Sequence, residues 1–423
     1  MRTKLTRQRL ALLLAIVGPG LVAASADNDA GGITTYSLAG ARFGYSLLWV
    51  LFLVTISLGV TQEMGARMGA VTGKGFGGLI REKFGAKWAA FAILVMLCAN
   101  LGTTVAEFAG VAASLSVFNV SRFLCVPLAA AGIYFLIARY DFPRVQRVFL
   151  FSSVVYFTYV VSGILARPDW SLAFKNTFVP TFKTDYAYIW MFVATVGTTI
   201  TPWGQFFIQS FVVDKRLKSE DLGYVRADVY LGAFFTDFIA FFIIVACAAT
   251  VYTMGIQVPD VPEKAVQVIA QALRPLAGEF ASALFAYGLL NASLLGAAIV
   301  PLTSAYATCE TFGWEAGVDK RPSEAPIFFG VFLFFLVVPS AIVLLAPSHL
   351  LIEAMILPQV LNGMLLPIIL VFVLKITNDS IFMGKFTNTR VFNAISIITT
   401  AVMIILTAIL LGDPIVKLFL PHS

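Results

Sequence analysis

The chain reads as an all-α integral membrane protein of about eleven transmembrane helices, with the first and the sixth broken near mid-membrane. Three observations predict this. Of 423 residues, 59% are hydrophobic and 12% charged, with a mean hydropathy of +0.89. A soluble domain of this length needs more charge to cover its surface. Apolar stretches of roughly 20 residues, the length that crosses a hydrocarbon core, recur along the whole chain. Two of these stretches carry polar, Gly-rich or Pro-containing strings in their middles, at matching places in two halves of the sequence.

In order, the spans fall near 10–40, 46–70, 88–116, 124–139, 148–166, 187–213, 227–253, 277–311, 326–346, 350–375 and 391–412. The first ten divide into two units of five, about 10–166 and 187–376, with the eleventh as an extra helix within a single transmembrane domain. The first apolar run passes Gly20 without a cleavage pattern and enters the polar string Ser25–Gly32, so no cleavable signal peptide is expected.

Orientation follows from the basic residues. Arg2, Lys4, Arg7 and Arg9 precede the first span. Alternate loops then carry Lys74, Arg81, Lys83 and Lys87, then Arg139, Arg144 and Arg147, then Lys215, Arg216, Lys218 and Arg226. Lys320, Arg321, Lys375, Lys385 and Arg390 complete that side, which holds 20 of the 29 basic residues. A plasma-membrane protein with a cytoplasmic N-terminus and an extracytoplasmic C-terminus is expected. The formal charge of +6 is therefore topological, and no nucleic-acid partner is implied.

Cys98, Cys125, Cys247 and Cys309 stand singly in apolar stretches, without metal spacing or a disulfide framework, and read as packing residues. The only histidines, His349 and His422, sit at span ends, which removes a buried His relay and a His-based metal site. No hydrolase or transferase constellation is visible, so no enzyme and no cofactor are expected.

Lipid-facing backbone must be hydrogen-bonded within its own element, so a mid-span break needs a reason. The first break is Ser25-Ala26-Asp27-Asn28-Asp29-Ala30-Gly31-Gly32; the second is Gly197-Thr198-Thr199-Ile200-Thr201-Pro202-Trp203-Gly204-Gln205. Gly pairs and a mid-span Pro both interrupt the helical ladder. Interrupted helices at equivalent places in two repeats point to a transporter's central site, where unwound carbonyls and half-helix ends hold an ion. Incidental kinks are the alternative. Two carboxylates beside one kink speak against it, since each mid-membrane charge costs about 2.5–3.5 kcal/mol or more.

Further residues carry a resemblance. Gly18-Pro19, Asp29-Ala30-Gly31-Gly32, Phe43-Gly44-Tyr45-Ser46-Leu47-Leu48-Trp49, Gln62-Glu63-Met64-Gly65-Ala66-Arg67-Met68-Gly69 and Thr72-Gly73-Lys74 follow one another in order. Ala106-Glu107-Phe108, Gln359-Val360-Leu361, Asp379-Ser380 and Met383-Gly384 come later in the chain. Together they resemble the NRAMP family of divalent-metal transporters, and the likeness spans nearly the whole chain. The resemblance implies a LeuT-type inverted repeat of 5+5 helices with helices 1 and 6 broken, and a divalent metal ion as substrate.

The family's helix-1 motif is DPGN, whose Asp falls on Asp29 and whose Asn falls on Gly32, where no side chain remains. The helix-6 triplet MPH becomes Thr201-Pro202-Trp203, so the Met ligand is replaced by Thr201 and the carbonyl ligand three residues earlier is Thr198. The helix-10 Gln falls on Gln359. The implied metal site is thus Asp29, Gly32, Thr198, Thr201 and Gln359. A thioether favours soft metals; without it, what remains is carboxylate, hydroxyl, amide and carbonyl oxygen in a roomier cavity. Magnesium takes oxygen ligands and sheds water reluctantly. The pattern resembles the NRAMP-related magnesium transporter branch, which carries Mg²⁺ and also Mn²⁺.

Proton-coupled relatives use the motif His, a second His one turn on, and helix-3 acids. Those positions fall on Trp203, near Gln209, and on Thr104 and Leu97, with only Glu107 kept. Trp, Thr and Leu do not titrate, so uncoupled transport is expected.

Asp27 and Asn28 are additional to the family's ligands. Asp27 either holds waters of a hydrated ion and draws cations to the outer mouth, or forms an internal pair or helix cap. Asp237 is either a supporting acid behind the ligands or simply a paired one. Trp203 and Gln205 complete the secondary candidates. Glu63 and Arg67 have i, i+4 spacing and read as an ion pair. Glu107 reads as part of a structural network, with a residual proton role as the alternative. Glu310 and Glu353 are expected to reach the interface, and the 38 Phe residues to contact lipid and pack. The connection Arg167–Asp185 joins the repeats, and Gln257–Pro275 is suited to the membrane surface. The expected partners are the metal ion and the bilayer, with the chain a monomer.

Competing readings are a proton-coupled manganese or iron importer, a non-transporting metal sensor, and an amino-acid transporter of the same fold. The sensor calls for a long soluble output domain. The amino-acid carrier calls for free amides at the first break, where Asp29 would repel a carboxylate.

Overall fold

The computed structural model describes residues 26–139, 151, 156–258, 268–269 and 281–419. The basic N-terminal segment, Gly18-Pro19, Arg144, Arg147, His422 and most of Gln257–Pro275 lie outside the described residues. In chain order the helices are α1 (Ala30–Phe43), α2 (Leu48–Thr72), α3 (Phe76–Phe84), α4 (Ala86–Ser116) and α5 (Arg122–Arg139). They continue with α6 (Phe157–Leu165), α7 (Trp170–Phe178), α8 (Tyr186–Thr199), α9 (Pro202–Asp214) and α10 (Leu222–Cys247). The last five are α11 (Ala281–Phe312), α12 (Pro326–Leu345), α13 (Leu351–Thr377), α14 (Ser380–Met383) and α15 (Arg390–Phe419).

Among the described residues eight helices are long and apolar enough to cross a membrane, and they match the second, third, fourth and seventh to eleventh predicted spans. The sixth predicted span is two helices, α8 of 14 residues and α9 of 13, each too short to cross alone. The described part of the first is the end of one helical segment at Ala26–Asp27 followed by α1, also 14 residues. The fifth predicted span is described from Tyr156 onward.

α4, at 31 residues and about 46 Å, is longer than a bilayer core and packs most extensively on α11 and α13. α10 lies against α2 and α1, α9 against α2, and α8 against α13. The short helices α1, α8 and α9 are therefore enclosed: every described α1 residue from Ala30 to Ala41 is buried. Lipid-facing aromatic and aliphatic side chains, such as Phe123, Leu128 and Phe135, lie on the outer helices instead.

Near the basic loops, Arg67 Nε meets Glu63 Oε2 at 3.1 Å, with both side chains buried. Arg226 on α10 bonds the same carboxylate at 2.8 Å. Arg67 also donates to the Phe386 carbonyl and to Asn388 Oδ1, tying α2 to the segment before α15.

Two expectations, for Glu310 and Cys98, are corrected. Glu310 does not reach the interface; it turns inward and accepts from Ser210 Oγ at 2.9 Å. Glu353 is exposed. Cys98 is not core, being exposed, whereas Cys125, Cys247 and Cys309 are buried. The connection Arg167–Asp185 is also more than a linker. Asp169 caps α7 within it through a bond from the Leu172 amide.

Candidate ion site at the two helix breaks

Both breaks restart with a polar N-cap. Asp29 has extended backbone and its Oδ1 accepts the Gly32 amide at 2.6 Å. Thr201 does the same for α9, accepting the Gly204 amide at 3.2 Å, with Pro202 at the first helical position, where its missing N–H costs nothing. The sequence thus places a cap residue at the point where each half-helix begins.

The breaks face each other. A Cβ on Gly32 would lie 3.2 Å from Thr198 Oγ1 and 2.9 Å from the Asp27 carbonyl oxygen. Thr198 sits in the last turn of α8, whose terminal carbonyls lack intrahelical donors. Gln359 on α13 comes to both: a Cβ on Gly31 would lie 1.8 Å from its Nε2, and one on Gly197 would lie 2.0 Å from its carbonyl oxygen. Only glycine permits that approach. Behind it, Asn362 Nδ2 bonds Gln359 Oε1 at 3.2 Å and Thr103 Oγ1 at 3.1 Å.

Asp29, Gly32, Thr198 and Gln359 thus meet where the breaks face each other, and Thr201 begins the second half-helix; all five are buried. Several of their polar atoms take no hydrogen bond from the protein, among them Asp29 Oδ2, Thr198 Oγ1 and Gln359 Nε2. Buried polar atoms left in this condition cost about 1–3 kcal/mol each, which a bound ion would offset. Among the described residues no three Asp, Glu, His or Cys side chains gather as a metal cluster. The donors are one carboxylate with neutral oxygens, and a negative helix end at α8 favours a cation beside them.

The remaining candidates are placed around this centre. Asp27 is buried, so it does not line an open mouth; its Oδ2 accepts from Gln62 Nε2 at 3.1 Å, while Oδ1 takes no donor from the protein. Asn28 donates to the Thr236 carbonyl at 3.2 Å, fastening the first break to α10. Glu107 accepts the Ala30 amide at 3.2 Å, and its carboxyl group stands beside that of Asp29. Its carboxylate therefore works at the α1 N-terminus together with Asp29. Thr104, where the family motif has an acid, returns its hydroxyl to the Asn100 carbonyl at 2.7 Å.

Three candidates lie off the centre. Asp237 lines an apolar cavity of about 200 Å³ between α2 and α10, beside Thr55. Trp203 is buried against Phe207, ring centroids 6.0 Å apart. Gln205 Oε1 faces Gly65 of α2. Sequence reasoning missed Gln62 as the partner of Asp27, and the Tyr36–Thr199 hydroxyl pair at 2.8 Å that bridges α1 and α8. A polar side chain in the middle of an apolar span was the available signal for each.

Comparison with known proteins gives the family and the fold. The family described as natural resistance-associated macrophage protein-like matches residues 20–413. The chain is similar to a divalent metal cation transporter MntH of Deinococcus radiodurans, 26% identical over 415 residues, covering 95% of this chain and 90% of the relative. A protein of the same description from Caldanaerobacter subterraneus is 24% identical over 411 residues, covering 94% and 93%. Among solved structures, an Eremococcus coleocola manganese transporter superposes with a TM-score of 0.79 at 20% identity, over 97% of this chain and 89% of that one. Mhp1, a nucleobase-cation-symport-1 family transporter, superposes with a TM-score of 0.59 at 15% identity, over 96% and 94%. The architecture is the all-helical LeuT-type fold that these neighbours share.

Proposed function

We propose a transport function from one premise: the chain belongs to the natural resistance-associated macrophage protein-like family. It carries divalent metal cations across the membrane, the activity named in the descriptions of its relatives, and does so by alternating access. Its substrate is Mg²⁺, and also Mn²⁺, moved into the cytoplasm as a partly hydrated ion. Asp29 supplies the charge, Thr198, Thr201 and Gln359 supply neutral oxygen, and Gly32, bearing no side chain, lets Thr198 approach the first break. The two repeats, about 10–166 and 187–376, rock around this centre in a monomer of the plasma membrane, with the N-terminus cytoplasmic and the C-terminus outside.

One observation carries the choice of ion. Thr201, a hydroxyl, caps the second broken helix where the family motif has a thioether. Hard oxygen donors suit an ion that keeps octahedral geometry and much of its water. Trp203 and Thr104 do not titrate, so the driving force is the membrane potential. Two charges crossing 100 mV release roughly 4.6 kcal/mol.

A second reading is a proton-coupled manganese or iron symporter. It is favoured by the Glu107 carboxylate beside Asp29 and by the manganese transport named for the Eremococcus structure. Uptake of Mg²⁺, Mn²⁺ and Ca²⁺ into proteoliposomes containing a pH dye separates the two. The proposed function predicts Mg²⁺ and Mn²⁺ entry without lumenal acidification. Acidification in step with metal entry, or Mn²⁺ entry with no Mg²⁺ entry, establishes the second reading instead.

A further inference from the structure

Between the two breaks and the basic loop at Lys74 runs an enclosed line of polar side chains that the central site does not use. On α2, Gln62, Gly65 and Gly69 share one face at i, i+3 and i+7 spacing. Against that face stand, in turn, Asp27 bonded to Gln62, Gln205 with its Oε1 over Gly65, and Gln209 packed on Gly69. Gln209 Nε2 then donates to the Lys74 carbonyl at 2.8 Å, where α2 has ended and the basic loop begins.

The upper part of this line is both charged and unsatisfied. Asp27 is 1% exposed; its Oδ2 accepts from Gln62, while Oδ1 takes no donor from the protein. Gln62 Oε1 is likewise unpartnered. Gln205, 1% exposed, has neither amide atom hydrogen-bonded, and it reaches toward the α2 face that carries Gln62. A helix-spanning protein gains nothing by burying a carboxylate and two amides in this state unless something satisfies them. Carboxylate, amide oxygen and nearby carbonyls are the donor set of a hydrated divalent cation.

We propose that Asp27, Gln62 and Gln205 form a second cation subsite, which takes the ion from the Asp29 centre and passes it toward the basic-loop side. The inference rests on the transport reading above. Asp27 is placed for the hand-over: its Oδ1 lies 3.9 Å from where a Cβ on Gly204 would be, and the Gly204 amide is the one that Thr201 caps. One ion thus moves between two carboxylates two residues apart, from one side of the first break to the other.

The test uses the full chain with Mn²⁺ and Mg²⁺ as probes. In proteoliposomes, Asp27→Asn is expected to lower the maximal rate about tenfold while leaving KM on the entry side within about twofold, since the outer-facing step keeps Asp29. Gln205→Leu lowers the maximal rate in the same direction. In detergent, Mn²⁺ binding followed by electron paramagnetic resonance separates a binding role from a structural one. Asp29→Ala retains weak binding, and the double variant with Asp27→Asn loses it, while both elute monodisperse. An unchanged maximal rate in Asp27→Asn, or equal Mn²⁺ binding by the Asp29→Ala single and double variants, overturns the subsite. Failure of the wild type to carry either ion overturns the transport reading, and the binding comparison then decides on the subsite by itself.

Discussion

Asp29 Oδ1 accepts the Gly32 amide at 2.6 Å, so the carboxylate that faces the second break is also the cap of the helix it begins. One oxygen is held by the backbone and the other, Oδ2, takes no protein donor. The cap fixes the direction of the second oxygen, and the glycine that supplies the amide lets the Asp27 carbonyl and Thr198 Oγ1 come within 2.9 and 3.2 Å of where a Cβ would stand. The geometry leads to four predictions and a closing test.

Thr201→Met restores a thioether at the second break. Cd²⁺ binding is expected to tighten about tenfold or more and Mg²⁺ transport to fall, because soft donors favour soft metals. Competition of Cd²⁺ against Mg²⁺ uptake in proteoliposomes measures the shift; an unchanged ratio contradicts the placement of Thr201 at the ion.

Gly197→Ala puts a Cβ about 2.0 Å from the Gln359 carbonyl oxygen, so α8 and α13 must separate. Expected outcomes are a lower melting temperature, equivalent to about 1–3 kcal/mol, and a large loss of flux. Gly132, where an added Cβ meets nothing within 4 Å, is the control: Gly132→Ala leaves both properties unchanged.

The distribution of the predictable and the unpredictable has a physical cause. Gly31-Gly32 and Pro202 announce helix breaks because they lack a Cβ or an N–H, and those effects are local. The caps at Asp29 and Thr201 are not read from the sequence, where both residues stand as ligands and a helix cap is weighed only for Asp27. Depth in the membrane could be read, but not the direction in which a side chain faces around its helix. Glu310 therefore reads as an interfacial residue yet bonds Ser210, and Cys98 reads as core yet is exposed. Gln62 stands 35 residues from Asp27, and only the packing of the first break on α2 joins them. The short helices α3 and α7 were hidden within stretches read as loops.

Proton coupling has a direct readout. With a K⁺ diffusion potential of about 100 mV, inside negative, uptake of Mg²⁺ should accelerate while a lumenal pH dye stays flat, as two charges gain roughly 4.6 kcal/mol. Glu107→Gln keeps an acceptor for the Ala30 amide and is expected to retain flux within about threefold at neutral pH, since the hydrogen bond and not the charge is its main contribution. Flux in the variant that becomes independent of a pH gradient the wild type responds to would assign Glu107 a proton role.

The Arg67–Glu63 pair predicts a stability effect remote from the ion. Removing Arg67 leaves the buried Glu63 carboxylate with only the half-exposed Arg226 opposite it and takes the donors from the Phe386 carbonyl and Asn388, a loss of up to about 3–5 kcal/mol. Arg67→Ala should melt well below the wild type in detergent, and Arg226→Ala much less, since its side chain is half exposed, at 48%. Equal melting of the two variants would remove the distinction between them.

The most direct test of the whole account is Mg²⁺ and Mn²⁺ uptake by Asp29→Ala in proteoliposomes, beside the wild type at matched protein content. The account predicts uptake near the protein-free background, with the variant still monodisperse. Wild-type rates from Asp29→Ala would place the ion somewhere other than between the two broken helices.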